Sequence, residues 1–184
     1  MPFDKDKENA LGKLDKSKKG SIDKDIKKLV LLLNSNDDYY TTSSCSGRIV
    51  LIKVAEENKK YNSKWLFVSH DKIKFKDIKI NYEGNVWFKQ ESVIIHICCR
   101  SLEAAGSLID EAKHVGFKRS GINTLGKKIM LELVGTDNMS VPVAINGKKL
   151  VDDNYLKVLV LEANKKLART KDKIKKLYKE LLLV

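Results

Sequence analysis

Tyr39-Tyr40-Thr41-Thr42-Ser43-Ser44-Cys45-Ser46-Gly47-Arg48-Ile49-Val50-Leu51-Ile52-Lys53-Val54-Ala55 is the stretch whose reading decides the fold. Both ends are rich in β-branched or aromatic residues, which suit a pleated, half-buried surface. The middle, Thr41 to Arg48, is small, polar and carries a glycine. The stretch therefore reads as two strands, residues 39–44 and 48–55, around a polar turn. Downstream, residues 64–70, 86–89 and 92–99 have the same strand composition, with Glu83-Gly84-Asn85 as a turn. Residues 102–115 show helical periodicity and stop at Gly116, where a C-terminal cap takes glycine. Strands at 117–125, 128–134 and 140–145 follow, and Pro142 suits an edge strand or a strand start. Residues 152–183 form one long helix with a buried stripe of Leu156, Leu159, Ala163, Leu167, Ile174, Leu177 and Leu181. Upstream, a short polar helix over 2–15 is broken at Lys18-Lys19-Gly20. A second helix opens with Ser21 or Asp23 as N-cap and carries Ile26, Leu29, Val30 and Leu33 on one face. The predicted class is α+β: a mixed β-sheet core, flanking helices and a long C-terminal helix, without the βαβ alternation of a Rossmann-type protein. No linker or low-complexity tract interrupts residues 1–184, which read as a single domain.

The charge balance points to a polyanionic partner. Of 184 residues, 36 are Lys or Arg and 24 are Asp or Glu, giving a net charge of +12. Such an excess raises the local concentration of polyanions and speeds encounter. Four arginines only, Arg48, Arg100, Arg119 and Arg169, offer a fork that grips a carboxylate or phosphate bidentately. Cys45, Cys98 and Cys99 are odd in number and lack C-x-x-C spacing, against a disulfide framework or a structural zinc site. No leader peptide is visible, and no apolar run is long enough to span a membrane. The expected setting is cytoplasmic and reducing, with no metal, no membrane and no DNA.

Several segments have the residues for chemistry. In the Thr41–Arg48 run, Ser43, Ser44, Ser46 and Gly47 offer hydroxyls, backbone N–H groups and close approach to a ligand. A plain polar hairpin is the alternative. In Ile94–Arg100, alternation puts Ile94, His96 and Cys98 on one face, with Arg100 at the strand end; a satisfied, half-buried histidine competes with a functional one. His70 ends another strand in the same manner. Ser120-Gly121 sits inside an expected strand, where glycine marks a bulge or a close backbone approach. Between Lys165 and Lys179 stand eight basic residues and one acid, Asp172. Lys165, Lys166, Arg169, Lys173 and Lys176 thus form a candidate phosphate-contacting surface, against a merely solvated helix face. Glycine-rich nucleotide loops, zinc-protease motifs and nucleophile elbows are absent from the sequence.

At these segments the sequence resembles the wybutosine-synthesising methyltransferase family of archaea and eukaryotes, from about Ser17 to Leu182. The matching stretches include Lys19-Gly20-Ser21-Ile22-Asp23, Thr41 through Ile49, Trp65-Leu66 with Val68 and His70, His96 with Cys99-Arg100, Gly116-Phe117 with Ser120-Gly121-Ile122, Val141-Pro142 and Ala163-Asn164. Thr-Thr-Ser-Ser-Cys-x-Gly-Arg is the most specific of them. The resemblance implies methylation of a ring nitrogen of a tricyclic wyosine-type base in phenylalanine tRNA, with S-adenosylmethionine (SAM) as donor. It also implies a fold outside the doubly wound methyltransferases.

The sulfonium methyl of SAM is already activated, so aligning donor and acceptor is the enzyme's chief task. Arg48 and Arg100 are candidates for holding carboxylates, since SAM and the substrate side chain each carry one. Ser43, Ser44, Ser46, Gly47, Ser120 and Gly121 are candidates for further donor contacts. His96, with His70 and Asp23 as alternatives, is the candidate acceptor of any proton released. A non-enzymatic RNA-binding module is the competing reading. A thiol enzyme built on Cys45 is disfavoured, because no histidine stands in recognisable relation to it.

Overall fold

The computed structural model describes residues 2–12, 20–54, 63–79 and 82–183. The continuation of the first helix to residue 15, the Lys18-Lys19 breaker and the strand end at Ala55 lie outside the described residues. The elements are α1 (Pro2–Leu11), α2 (Lys27–Ser35), β1 (Tyr39–Cys45), β2 (Arg48–Val54), β3 (Lys64–Ser69), β4 (Asn85–Glu91), β5 (Ile94–Cys99), α3 (Leu102–His114), β6 (Gly121–Leu125), β7 (Ile129–Val134), β8 (Met139–Ile145), β9 (Lys148–Lys149) and α4 (Asp153–Glu180). This is the α+β class expected.

The chain falls into two compact units: residues 1–46, 93–136 and 170–184, and residues 47–92 and 137–169. In the first unit, β1, β5, β7 and β6 form an antiparallel sheet in that order. Alternation along β5 explains its two faces. Ile95, Ile97 and Cys99 are buried in one core with Leu29, Leu33, Leu108, Phe117, Ile174 and Leu177, while Ile94 and His96 look out from the other side, only partly covered. Ser101 caps α3 by accepting from the Ala104 N–H at 3.1 Å. On the face away from the core, the Phe3 ring of α1 packs tilted against Tyr40, at 5.2 Å between ring centroids.

The second unit has a five-stranded antiparallel sheet in the order β3-β2-β4-β8-β9. Ile49, Leu51, Val86, Phe88 and Val143 pack with Leu156, Leu159, Val160, Ala163 and Leu167 of α4. β9 pairs only with Ala144 and Ile145, so Pro142 sits where β8 has an open edge and its missing N–H costs no ladder bond.

Three details differ from the sequence reading. Neither Ser21 nor Asp23 caps α2; Ile26 stands at the N-cap without a side-chain hydrogen bond, because the Asp23 carboxylate is drawn to Ser46. The strand expected from residue 117 begins at Gly121, since Phe117 to Ser120 form a turn closed by Ser120 N–H to the Phe117 carbonyl at 3.1 Å. The short strand β9 was not visible in so few residues. Among the described residues, no helix is long and apolar enough to cross a membrane.

Candidate functional site

The polar run after Tyr40 departs from a regular strand. Thr41 pairs with Ile97 and Ser43 with His96, so Thr42 is an extra residue, a β-bulge. Bulges re-aim side chains, and here Ser43 takes the place opposite His96 that Thr42 would otherwise hold. His96 in turn stands opposite Glu132 of β7, and Glu132 opposite Gly121 of β6. One row thus crosses the whole sheet on the face away from the core: Ser43, His96, Glu132, Gly121.

The row is hydrogen-bonded. Ser43 Oγ lies 2.7 Å from His96 Nδ1, and His96 Nε2 lies 2.8 Å from Glu132 Oε1. A carboxylate only accepts, so His96 donates through Nε2–H. In the neutral ring Nδ1 is then the acceptor, and Ser43 donates its hydroxyl to it. His96 and Glu132 keep 34% and 27% of their side-chain surface in solvent, which leaves the pair accessible. At Gly121 an added Cβ would meet nothing within 4 Å, so the margin of the row beside Glu132 is open.

Asp23 and Ser46 are buried in the same unit. The Asp23 carboxylate accepts from Ser46 N–H at 3.0 Å and from Ser46 Oγ at 3.2 Å. That bond fixes the end of the polar run by tying it to the segment before α2. Ser44, opposite Ile95, lies on the core side of β1, and Cys45 returns to the outer face opposite Ile94. Ser120 is buried and its hydroxyl accepts from Val134 N–H at 3.1 Å, a bond that joins the start of β6 to the end of β7. All three cysteines are free thiols, and burial pushes the Cys99 thiol up to about 12, far from thiolate chemistry at neutral pH.

Arg100 has work within the unit. Its guanidinium bonds Asp4 at 2.6 Å and the Asp37 carbonyl at 2.8 Å, pairs with Asp38 at 3.2 Å and lies over the Phe3 ring at 4.5 Å. The Arg100 guanidinium holds the Asp4 carboxyl down to about 2. It clamps α1, at the Tyr39 end of β5 rather than beside His96.

In the second unit, Gly47 has φ of 90°, a left-handed conformation that favours glycine. Its carbonyl meets His70 Nδ1 at 3.1 Å, so Nδ1 carries the hydrogen and Nε2 is the acceptor nitrogen of the neutral ring. Arg48 begins β2 with its Nε 2.6 Å from Glu91 Oε2 and its guanidinium 4.4 Å from the Trp65 ring centre. Glu91 and Trp65 thus orient a fork whose Nε is occupied. Gln90 is 1% exposed and lies opposite Ile49, on the core-facing side of β4 away from Arg48, and its Oε1 has no hydrogen-bond partner among the described residues.

The basic stretch of α4 is partly neutralised. Lys165 pairs with Glu162 at 2.6 Å, Arg169 with Asp137 at 2.8 Å and Lys171 with Asp25 at 2.7 Å. Lys173 donates to Thr136 Oγ1 at 2.8 Å. Lys165 and Arg169 also line an open groove of about 540 Å³ with Lys72, Leu161, Asn164 and Ala168.

Glu132, Glu91 and Trp65 are the residues that the sequence reading missed as partners of the site. Glu132 left one signal: it is the single charged residue in Ile129-Met130-Leu131-Glu132-Leu133-Val134.

Two antiparallel sheets, a bulged polar strand β1 that pairs with β5 and not with β2, and no glycine-rich nucleotide loop in the sequence define an α+β protein outside the doubly wound class; the run from Thr41 to Arg48 is therefore not a plain hairpin turn. The sequence model of the family described as Methyltransferase TYW3 matches residues 5–182. The chain belongs to that methyltransferase family. It is 42% identical over 176 residues to the Xenopus laevis "tRNA wybutosine-synthesizing protein 3 homolog", covering 91% of this chain and 70% of the relative. It is 38% identical over 185 residues to the Thermococcus sibiricus "tRNA(Phe) 7-((3-amino-3-carboxypropyl)-4-demethylwyosine(37)-N(4))-methyltransferase", covering 97% and 94%. A solved structure from Pyrococcus horikoshii superposes with a TM-score of 0.87 at 34% identity, covering 98% of this chain and 94% of that one. Family membership sets aside the non-enzymatic RNA-binding module.

Proposed function

We propose that this protein transfers the methyl group of SAM to N4 of 7-(3-amino-3-carboxypropyl)-4-demethylwyosine in phenylalanine tRNA. The observation that carries the reading is full-length similarity, 38% identity over 97% of the chain, to a relative bearing that activity in its name. The site is chemically suited to it. Arg48, with Nε on Glu91, presents its remaining N–H groups to a carboxylate, which both SAM and the aminocarboxypropyl group possess. The Gly47 backbone is the remaining contact assigned to the donor, and Ser44, on the core side of β1, is not assigned to it. Bound SAM supplies a methyl group that needs no further activation.

The roles of the other residues follow their partners. His96 receives the proton released from the acceptor nitrogen. Asp23, Ser46, His70 and Gly47 hold the polar run in shape. Ser120 serves the β6–β7 junction, Gly121 leaves the row open, and Arg100 clamps α1. Lys165, Lys166, Arg169, Lys173 and Lys176 contact tRNA phosphates, spaced so that they share one face of α4. The protein works in the cytoplasm, where Cys45, Cys98 and Cys99 stay reduced. Calorimetric titration with SAM, with and without tRNA, tests the donor. Saturable binding at one site is expected; no heat under either condition overturns the assignment.

A further inference from the structure

We infer that Ser43, His96 and Glu132 form a proton relay across the four-stranded sheet, in which Ser43 is the group that touches the substrate, His96 acts through it and Glu132 positions His96. The inference rests on the methyl-transfer reading and adds a catalytic role to Ser43 and a function to Glu132.

The relay follows from hydrogen-bond direction. Glu132 Oε1, 2.8 Å from Nε2, fixes the hydrogen of the neutral ring on that nitrogen. Nδ1 is then committed to accept, and the group it accepts from is Ser43, at 2.7 Å. Because Nδ1 is covered by the serine hydroxyl, an incoming substrate meets Ser43 Oγ before it meets the imidazole. Ser43 is exposed, on the bulge that places it opposite His96. At the far end of the row, a Cβ added at Gly121 would meet nothing within 4 Å.

The balance of the step is complete. A demethyl ring nitrogen bears a hydrogen where the methyl group is to go. Methylation forms an N–C bond, breaks the C–S bond of the sulfonium and releases that N–H proton. Ser43 Oγ takes the proton as its own hydroxyl proton passes to His96 Nδ1. The resulting imidazolium donates from both nitrogens, to Ser43 and to the Glu132 carboxylate, which neutralises it in place. No oxidant, metal or further reactant is required. The arrangement reverses the nitrogens of the serine-hydrolase triad, where serine meets Nε2 and the carboxylate Nδ1. Here serine passes a proton rather than attacking.

Two measurements on the full chain test the relay. The first is the histidine tautomer, read from ring ¹⁵N shifts; with only three histidines, His70, His96 and His114, assignment by single substitution is direct. His96 is expected as the single Nε2–H tautomer in the wild type and as a mixture in Glu132→Gln. A wild-type Nδ1–H tautomer overturns the relay whatever the activity. The second is single-turnover methyl transfer at saturating SAM. Ser43→Ala is expected to lose about 10²–10⁴-fold, the range of general acid–base assistance, with KM for SAM unchanged, while Ser43→Thr keeps most of the rate because it keeps the hydroxyl. A wild-type chain that transfers methyl while Ser43→Ala keeps its rate overturns the relay alone. A wild-type chain that shows the tautomer and transfers no methyl overturns the methyl-transfer reading, and the relay's source of protons falls with it.

Discussion

Arg48 is the residue proposed to hold a ligand carboxylate. Glu91 and Trp65 fix its guanidinium, so little rotamer freedom remains to be lost when a carboxylate docks. A lysine has neither the fork nor the flat face. Arg48→Lys is therefore expected to weaken SAM binding by about 1.5–3 kcal/mol, the scale of a hydrogen bond to a charged group; calorimetry with unchanged affinity would show that the side chain is structural. Arg100 makes the opposite case, a fork spent on Asp4, Asp38 and Phe3. Its partner Asp4 has a carboxyl held below the ordinary value of 3.8, down to about 2. For a depressed carboxyl, the stabilisation is fully present above the unfolded value and is lost as pH falls through the folded one. The α1 clamp should therefore be insensitive to pH from neutrality to about 4 and weaken between about 4 and 2. The NMR ring resonances of Tyr40, in tilted contact with Phe3, can be followed through an acid titration, with Arg100→Gln as the variant in which that transition disappears.

At the scale of elements, α4 carries the test of the RNA surface. Most of its buried stripe was legible from spacing alone: Leu156, Leu159, Ala163, Leu167, Ile174 and Leu177 are buried, whereas Leu181, also expected in the stripe, falls just past the helix end at Glu180 and is only partly buried. Its basic face was legible as charge, but not as charge already engaged by Glu162 and Asp137. Neutralising Lys165, Lys166, Lys173 and Lys176 together should weaken tRNA binding and flatten its salt dependence. The log–log slope should fall by roughly 0.7–0.9 for each phosphate that is no longer neutralised. SAM affinity should not move. An unchanged slope would make the face a solvated one. The strands, too, were legible, because β-branched and aromatic residues recur with period two. What could not be read was register. His96 and Glu132 are 36 residues apart in sequence, and only the pairing of β5 with β7 sets them opposite each other. The bulge at Thr42 has no local signature, since Thr42 and Ser43 are both small and polar. Asp23 misled for a similar reason: an aspartate before a helix is a natural N-cap, and its attachment to Ser46 needs the fold.

At the scale of the whole molecule, the described residues form two hydrophobic cores, and length and composition read as one domain. We propose that residues 1–184 nevertheless unfold as a single cooperative domain. The chain passes between the two units four times, at residues 46–47, 92–93, 136–137 and 169–170, and α4 contributes to both. Neither unit is a continuous segment that can fold independently along the chain. One calorimetric transition with equal calorimetric and van't Hoff enthalpies is expected. Leu108→Ala, at a residue 1% exposed in the first core, should cost about 2–5 kcal/mol and lower that one transition, whereas two separated transitions would show independent units. The central claim is the methyl transfer itself, and nucleoside mass spectrometry tests it most directly. Phenylalanine tRNA carrying the aminocarboxypropyl-demethyl base, incubated with the purified chain and SAM, should gain one methyl mass on that base and none elsewhere. Recovery of the base unmethylated, under conditions where SAM is bound, would contradict the account.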